Sequence, residues 1–78
     1  MEPVLLVEDK TELRAMLRKA LERWGYAIEE APDGQAAIDK VRARRYLFVL
    51  SDLKLPGHSG IDVLREARRA EPSLPVIL

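Results

Sequence analysis

Carboxylates follow two short apolar runs of this chain, and they are the residues best placed to do chemistry. Glu8 and Asp9 come directly after the run Val4–Val7, and Asp52 ends the run 47–52, which reads LFVLSD. Apolar runs of this length are typical of strands buried on both faces, as in parallel sheets. If the two strands are neighbours, their acids converge at the carboxyl edge of the sheet, where ligands of open α/β folds bind.

A cluster of carboxylates can be a cation and phosphoryl site, or it can have a purely structural role. Uncompensated carboxylates repel one another, and a hard divalent cation such as Mg²⁺ compensates them because it prefers oxygen ligands. A bound cation would attract a phosphate group, and a carboxylate facing that phosphate could become an aspartyl phosphate. The alternative is that acids at strand ends cap helices or face solvent. Three acids on two strand ends, with the turn-rich segment 53–60 after the second, favour the functional interpretation.

Length and composition limit the classes of protein to which the chain can belong. Its 78 residues predict a single small domain. Lys plus Arg and Asp plus Glu number 13 each, so no bulk charge favours nucleic acid or a membrane surface. The lack of cysteine excludes disulfides and thiolate metal sites. No apolar run approaches the roughly 20 residues of a membrane span, and no secretory signal is evident. We therefore expect a cytoplasmic protein with no membrane partner and no direct nucleic-acid partner.

Strand-like and helix-like segments alternate along the whole chain. The order β-α-β-α-β-α-β predicts a parallel sheet with helices on both faces. The predicted strands are Val4–Val7, 26–31, 47–52 and 74–78, and the predicted helices start at Thr11, at Gln35 (running to about Arg45) and after Ser59.

The apolar residues of the first helix recur at helical spacing and predict one core-facing stripe. The stripe consists of Leu13, Met16, Leu17, Ala20, Leu21 and Trp24, and Gly25 is expected to end the helix.

Polar residues mark other boundaries. Glu29 and Glu30 predict that the second strand lies at an edge of the sheet, and Asp33 is a candidate cap of the second helix. Ser59 and Asp62 fit a capping box that would open the third helix. The single histidine, His58, is interpreted as a solvated loop residue, because a lone histidine is weak evidence for catalysis.

The segments VLLVED, SDLKLPGHSGIDVL and LPVIL resemble the receiver domain of two-component response regulators, above all receivers that precede transcriptional activators. The resemblance implies a flavodoxin-like (CheY-like), doubly wound α/β fold with strand order 2-1-3-4. It also implies that Asp52 is the phosphoacceptor and that Mg²⁺ is bound by Glu8, Asp9, Asp52 and the backbone carbonyl of Lys54. A sensor histidine kinase would be the partner of the parent protein, transcription its output, and the domain a signalling module rather than an enzyme.

The resemblance also implies what lies beyond Leu78. The family places a Thr or Ser after the fourth strand and a Lys after the fifth, and both contact the phosphoryl group. We therefore expect residues 1–78 to be a receiver truncated after strand 4, with weak Mg²⁺ binding and slow or absent phosphorylation. A bare fourth strand is a template for pairing, so we also expect a homodimer or higher oligomer.

Two other functions compete with the receiver. One is a self-associating α/β fragment without phosphotransfer activity, that is, a folding or assembly module. The other is a magnesium phosphohydrolase, which is disfavoured because the chain offers no obvious general acid or base beyond these carboxylates.

Overall fold

A computed structural model describes all residues from 1 to 78. Strands and helices alternate as predicted, and the alternation β-α-β-α-β-α-β is confirmed. The elements are β1 (Val4–Val7), α1 (Thr11–Arg23), β2 (Ile28–Ala31), α2 (Gly34–Ala43), β3 (Val49–Ser51), α3 (Gly60–Ala70) and β4 (Val76–Ile77). The predicted strands 26–31, 47–52 and 74–78 were too long, because strand pairing covers only part of each segment.

All strand pairs are parallel, and the sheet has the order β2-β1-β3-β4. This order confirms the expected arrangement, in which β1 and β3 are central neighbours. The strand β2 lies at an edge, as its two glutamates predicted. Its Glu29 is paired with Arg44 and Lys40 from the end of α2 and the segment after it, which ties this edge to the second helix.

The sheet has a hydrophobic layer on each face, because every residue of β1 is buried and successive side chains point to opposite sides. Leu5 and Val7 pack in the larger cluster, which contains the buried side chains of α2 and α3. Val4 and Leu6 pack in the smaller cluster, below α1. The predicted contribution of α2 to the core is confirmed by the burial of Ala37, Ile38 and Val41.

The outer part of the predicted α1 stripe does not lie in the core. Met16 is 61% exposed and Trp24 is 80% exposed, so their assignment to the core was wrong. Leu17 and Leu21 face the sheet and are half-buried against its smaller cluster. Met16 lies about 100° around the helix from Leu17, and Trp24 lies past the last helical residue, so neither reaches the sheet.

Observed hydrogen bonds support the predicted starts of α2 and α3, but α2 ends at Ala43, before the predicted end at about Arg45. Asp33 accepts from the N–H of Ala36 at 2.8 Å, and Ser59 and Asp62 form the complete capping box of α3. After α1, Gly25 adopts a φ of +93°, a conformation that favours glycine. No helix of the protein has the length and apolar character needed to cross a membrane.

Helices α2 and α3 are joined on the outside of the sheet by an ion pair. Arg42 donates from Nη2 to Glu66 Oε2 at 2.8 Å, and this bond lowers the pKa of Glu66. The arginines of the last turns of α2 and α3 lie at the protein surface, and acids pair with Arg42 and Arg69.

Candidate metal centre

Three carboxylates from two strand ends meet at one point of the molecule. One oxygen from each of Glu8, Asp9 and Asp52 lies within 4.8 Å of the other two. The register explains the meeting, because Val7 is paired with Ser51 and the next residues leave the sheet side by side. The N–H of Asp52 donates to the Val7 carbonyl at 3.1 Å, which fixes the end of β3 against β1. The predicted convergence of these acids is therefore observed.

The carboxylates of the cluster have no ion-pair partner within the protein. Glu8 is only 3% exposed, and a buried carboxylate is costly unless it is paired. It accepts one hydrogen bond, from the Lys10 N–H at 2.9 Å. None of the ion pairs of the protein includes Glu8, Asp9 or Asp52. A buried acid with two acidic neighbours and no ion-pair partner fits an added cation.

Two acids of the cluster, Glu8 and Asp52, line an open depression of about 270 Å³. Apolar side chains of β1, α1 and β3 line most of the remaining surface, and Leu78 lies beside Asp52 at its rim. Glu8 and Asp52 therefore lie between this open depression and the hydrophobic layer of the sheet.

The loop after β3 sets how Asp52 is displayed. Its carboxylate Oδ1 lies 3.4 Å from the N–H of Lys54, at the long limit of a hydrogen bond. The N–H of Gly60, the first residue of α3, donates to the Leu53 carbonyl at 2.7 Å and closes the loop. Lys54 lies on this loop, two residues after Asp52, and its predicted role as a carbonyl ligand stays a prediction.

His58 is more constrained than its interpretation as a solvated residue implied. Its ring is half-buried, with Nε2 3.1 Å from Gln35 Oε1 and Nδ1 3.8 Å from Asp62 Oδ2. A Cβ atom on Gly34 would overlap the Cβ of His58, so the loop and the start of α2 are in close contact. His58 thus connects the loop after β3 with α2.

Sequence reasoning missed one residue beside the site. Arg14 donates from Nη1 to the backbone carbonyl of Glu8 at 2.8 Å. Arg14 lies on α1 among other charged residues. The sequence pattern of a helix does not show which other element a charged side chain contacts. Only the spacing from Glu8, one helical turn beyond the loop, could have indicated the contact.

The donor set of the cluster suits a hard divalent cation. Mg²⁺ takes oxygen ligands, uses one or two carboxylates together with waters, and rarely needs a complete protein cage. Glu8, Asp9 and Asp52 supply oxygens only, at a spacing that one ion can bridge. On chemistry and spacing, the residues present fit Mg²⁺.

The fold and the place of the site together define a class of protein. A parallel sheet of order 2-1-3-4, covered on both faces and carrying acids at the carboxyl ends of β1 and β3, is a flavodoxin-like arrangement with its site at the topological switch point. Residues 4–78 match the family model described as the response regulator receiver domain, and the chain belongs to that family.

Curated relatives include transcriptional regulators of two bacteria. The chain is 41% identical to the transcriptional regulatory protein ResD of Bacillus subtilis over 96% of its length, which is 31% of ResD. It is 43% identical to the probable transcriptional regulatory protein TcrX of Mycobacterium tuberculosis, again over 96% of its length and 32% of TcrX. The chain thus spans about a third of these relatives.

A solved structure agrees closely with the fold. The response regulator TrrA of Thermotoga maritima, in complex with Mg²⁺-BeF, superposes with a TM-score of 0.94 at 33% identity, over 100% of this chain and 68% of that one. TrrA bound to the histidine kinase ThkA gives a TM-score of 0.88 at 32% identity, over 97% of this chain and 66% of that one.

Proposed function

We propose that residues 1–78 form the N-terminal part of a receiver domain that accepts a phosphoryl group on Asp52. Glu8, Asp9, Asp52 and the backbone carbonyl of Lys54 would hold Mg²⁺. The observation that carries this proposal is the meeting of three carboxylates from β1 and β3 within 4.8 Å. Membership of the receiver family and the Mg²⁺-BeF complex of TrrA support it.

In the proposed reaction, an Asp52 carboxylate oxygen attacks the phosphorus of a phosphohistidine on a kinase. The new bond is O–P, the bond that breaks is P–N, and the imidazole leaves with the electron pair. Mg²⁺, when bound, supplies positive charge for the phosphoryl oxygens. The protein supplies orientation: β3 holds Asp52, and the loop closed by Gly60 leaves its carboxylate open on one side.

A sensor histidine kinase is the proposed partner, and control of transcription is the proposed output of the parent protein. The TrrA–ThkA complex supports the first, and the regulatory names of ResD and TcrX support the second. In this proposal the domain is a cytoplasmic signalling module, not an enzyme. The family's phosphoryl-contacting Thr or Ser and Lys fall outside these 78 residues, so we propose that this chain alone is labelled slowly, because charge on the phosphoryl group is under-stabilised.

The test compares Asp52→Asn with Asp39→Asn, a matched change at an exposed aspartate of α2. Mg²⁺ binding is measured by calorimetry, and labelling by a small phosphodonor is measured by intact mass. We expect Asp52→Asn to weaken Mg²⁺ binding by about tenfold or more and to abolish labelling, while Asp39→Asn leaves both unchanged. Unchanged Mg²⁺ affinity in Asp52→Asn would refute the proposed site.

The second candidate function is self-association of an α/β fragment without phosphotransfer. The observation in its favour is the end of the sheet at β4, a two-residue strand whose Ile77 is 52% exposed. Unpaired strand edges and exposed apolar side chains both promote assembly. If Asp52→Asn changes neither binding nor labelling and the chain is oligomeric, this candidate stands instead.

A further inference from the structure

We propose that Arg14 is a positioning residue of the acidic cluster. Its guanidinium connects the carbonyl of Glu8 to Glu30 on the edge strand, and so fixes the segment that carries Glu8 and Asp9. This inference rests on the proposed Mg²⁺ site.

The contacts of Arg14 reach two different elements at once. Nη1 donates to the Glu8 carbonyl at 2.8 Å, and Nε lies 3.3 Å from Glu30 Oε1. The side chain is only 18% exposed. Because the guanidinium is planar and rigid, two such contacts define its orientation.

The Glu8 carbonyl needs this donor because the strand ladder ends there. The N–H of Glu8 still donates to the Ala31 carbonyl at 3.1 Å, but Ala31 is the last residue of β2. At the next position of this parallel ladder the Glu8 carbonyl would accept from the N–H of Asp33, but Asp33 lies beyond β2, as the N-cap of α2, and that bond is not formed. A side chain of α1 therefore supplies the hydrogen bond that the sheet no longer provides.

The other end of the connection is itself held in place. Glu30 Oε2 accepts from Arg18 Nη1 at 2.7 Å, and Arg18 also contacts Glu22 at 3.3 Å. Bonding to Glu30 raises the pKa of Arg18, and an arginine guanidinium is charged in proteins in any case. Glu30 thus forms ion pairs with two arginines that lie one helical turn apart, and Arg18 restricts the position of the carboxylate that Arg14 contacts.

The position of the Glu8 backbone matters because Mg²⁺ requires near-ideal octahedral geometry. Glu8 and Asp9 supply two of the three carboxylates, and both side chains start from the segment that Arg14 holds. Residues outside the ligand set that orient ligands typically change metal affinity by about 10–100-fold when removed.

The test compares Arg14→Ala with Arg18→Ala, since both changes remove one arginine from Glu30 and only the first removes the bond to Glu8. We expect Arg14→Ala to weaken Mg²⁺ binding, measured by calorimetry, by about tenfold, and Arg18→Ala to weaken it by less than about twofold. The direction of the change in Mg²⁺ affinity separates positioning from a simple charge effect. Loss of a positive charge near the acids would by itself tighten cation binding, so equal or tighter binding in Arg14→Ala overturns the proposal.

A second readout needs no cation. The amide of Lys10 is bonded to Glu8 Oε2, and its hydrogen exchange in metal-free protein reports whether the segment is held. We expect faster exchange in Arg14→Ala, and in Arg14→Met, which keeps the apolar stem, than in Arg18→Ala. Equal exchange in all three variants overturns the proposal. If the wild-type chain binds no Mg²⁺, the proposed function fails, and the exchange measurement still decides the role of Arg14.

Discussion

Gly60 places a steric limit on the backbone of the candidate phosphoacceptor. A Cβ on Gly60 would lie 2.5 Å from the Asp52 carbonyl oxygen and 3.0 Å from the Leu53 Cα. These are backbone atoms, which cannot turn aside as a side chain can, so the start of α3 must approach Asp52 without a side chain.

We therefore predict that Gly60→Ala destabilises the fold by about 1–3 kcal/mol, as overpacking does, and displaces Asp52. The measurement is the urea midpoint by circular dichroism, together with Mg²⁺ affinity. Ile61→Ala is the neighbouring control, since Ile61 is exposed and such changes usually stay within about 0.5 kcal/mol. A Gly60→Ala protein as stable as the wild type would contradict the steric argument.

Tyr46 gives a pH-dependent prediction. It is buried, its hydroxyl donates to Glu29 Oε1 at 2.9 Å, and burial followed by the contact with Glu29 raises its pKa. The folded state then keeps a proton that the unfolded chain loses near pH 10, so the free energy of unfolding falls as pH rises above about 10. Below that pH the contribution is fully present.

Tyr46→Phe should lower the free energy of unfolding at neutral pH by about 1.5 kcal/mol, the low end for a hydrogen bond to a charged acceptor. Between about pH 10 and 11 the free energy of unfolding of this variant should fall less steeply than that of the wild type. Urea unfolding at pH 7 to 11 measures both effects. Tyr26→Phe is the control, because Tyr26 packs edge-on against Phe48 rather than bonding an acid. Parallel alkaline declines in Tyr46→Phe and wild type would refute the assignment.

Single residues were predictable from sequence where a strand end fixed their place. Glu8, Asp9 and Asp52 were found because parallel strands end at one edge. Arg14 and His58 were not, because each acts through a contact between elements. Such contacts depend on the distance between a helix and a loop, and local spacing does not contain that distance.

At the scale of elements, α3 depends on the cap that follows the site loop. Ser59 accepts from the Asp62 N–H at 3.2 Å, and Asp62 accepts from the Ser59 N–H at 3.1 Å. We predict that Ser59→Ala lowers the free energy of unfolding by about 1 kcal/mol, measured by urea unfolding. Ser73→Ala, which removes an exposed hydroxyl bonded to Glu71, should change it by less than about 0.5 kcal/mol. Equal losses in the two variants would show that the box contributes nothing specific.

The kinds and order of the elements were predictable because periodicity changes sharply between strands and helices. The α1 stripe shows where this reasoning ends. A helix can carry more apolar residues than the sheet below can cover, so Leu17 and Leu21 are half-buried while Met16 stays in solvent. Which part of a stripe is covered is decided by the neighbouring elements, not by the helix itself.

At the scale of the whole molecule, the strand order could not be obtained from periodicity. It came from the family resemblance, because local patterns define strands but do not state which strands pair. In the observed order β1 lies beside β3, and the acids of the site follow these two strands.

The β4 side of the sheet gives a prediction about assembly. We expect the 78-residue chain to form a homodimer or higher oligomer at micromolar concentration, and Ile77→Lys to shift it towards monomer, since charge on an edge strand opposes pairing. Sedimentation velocity measures both. Met16→Lys, a change at an exposed apolar residue of α1, is the control and should leave the distribution unchanged. A well-folded wild-type monomer would defeat the prediction.

The exposed indole of Trp24 has a practical consequence for anyone who follows this protein in solution. It is the single tryptophan of the chain, and 80% of its surface is open to water in the folded state. Its fluorescence emission should therefore shift little when the chain unfolds, and fluorimetry would understate denaturation. The same emission should shift to the blue when another surface covers the end of α1, which makes the wild-type protein its own optical sensor of docking there.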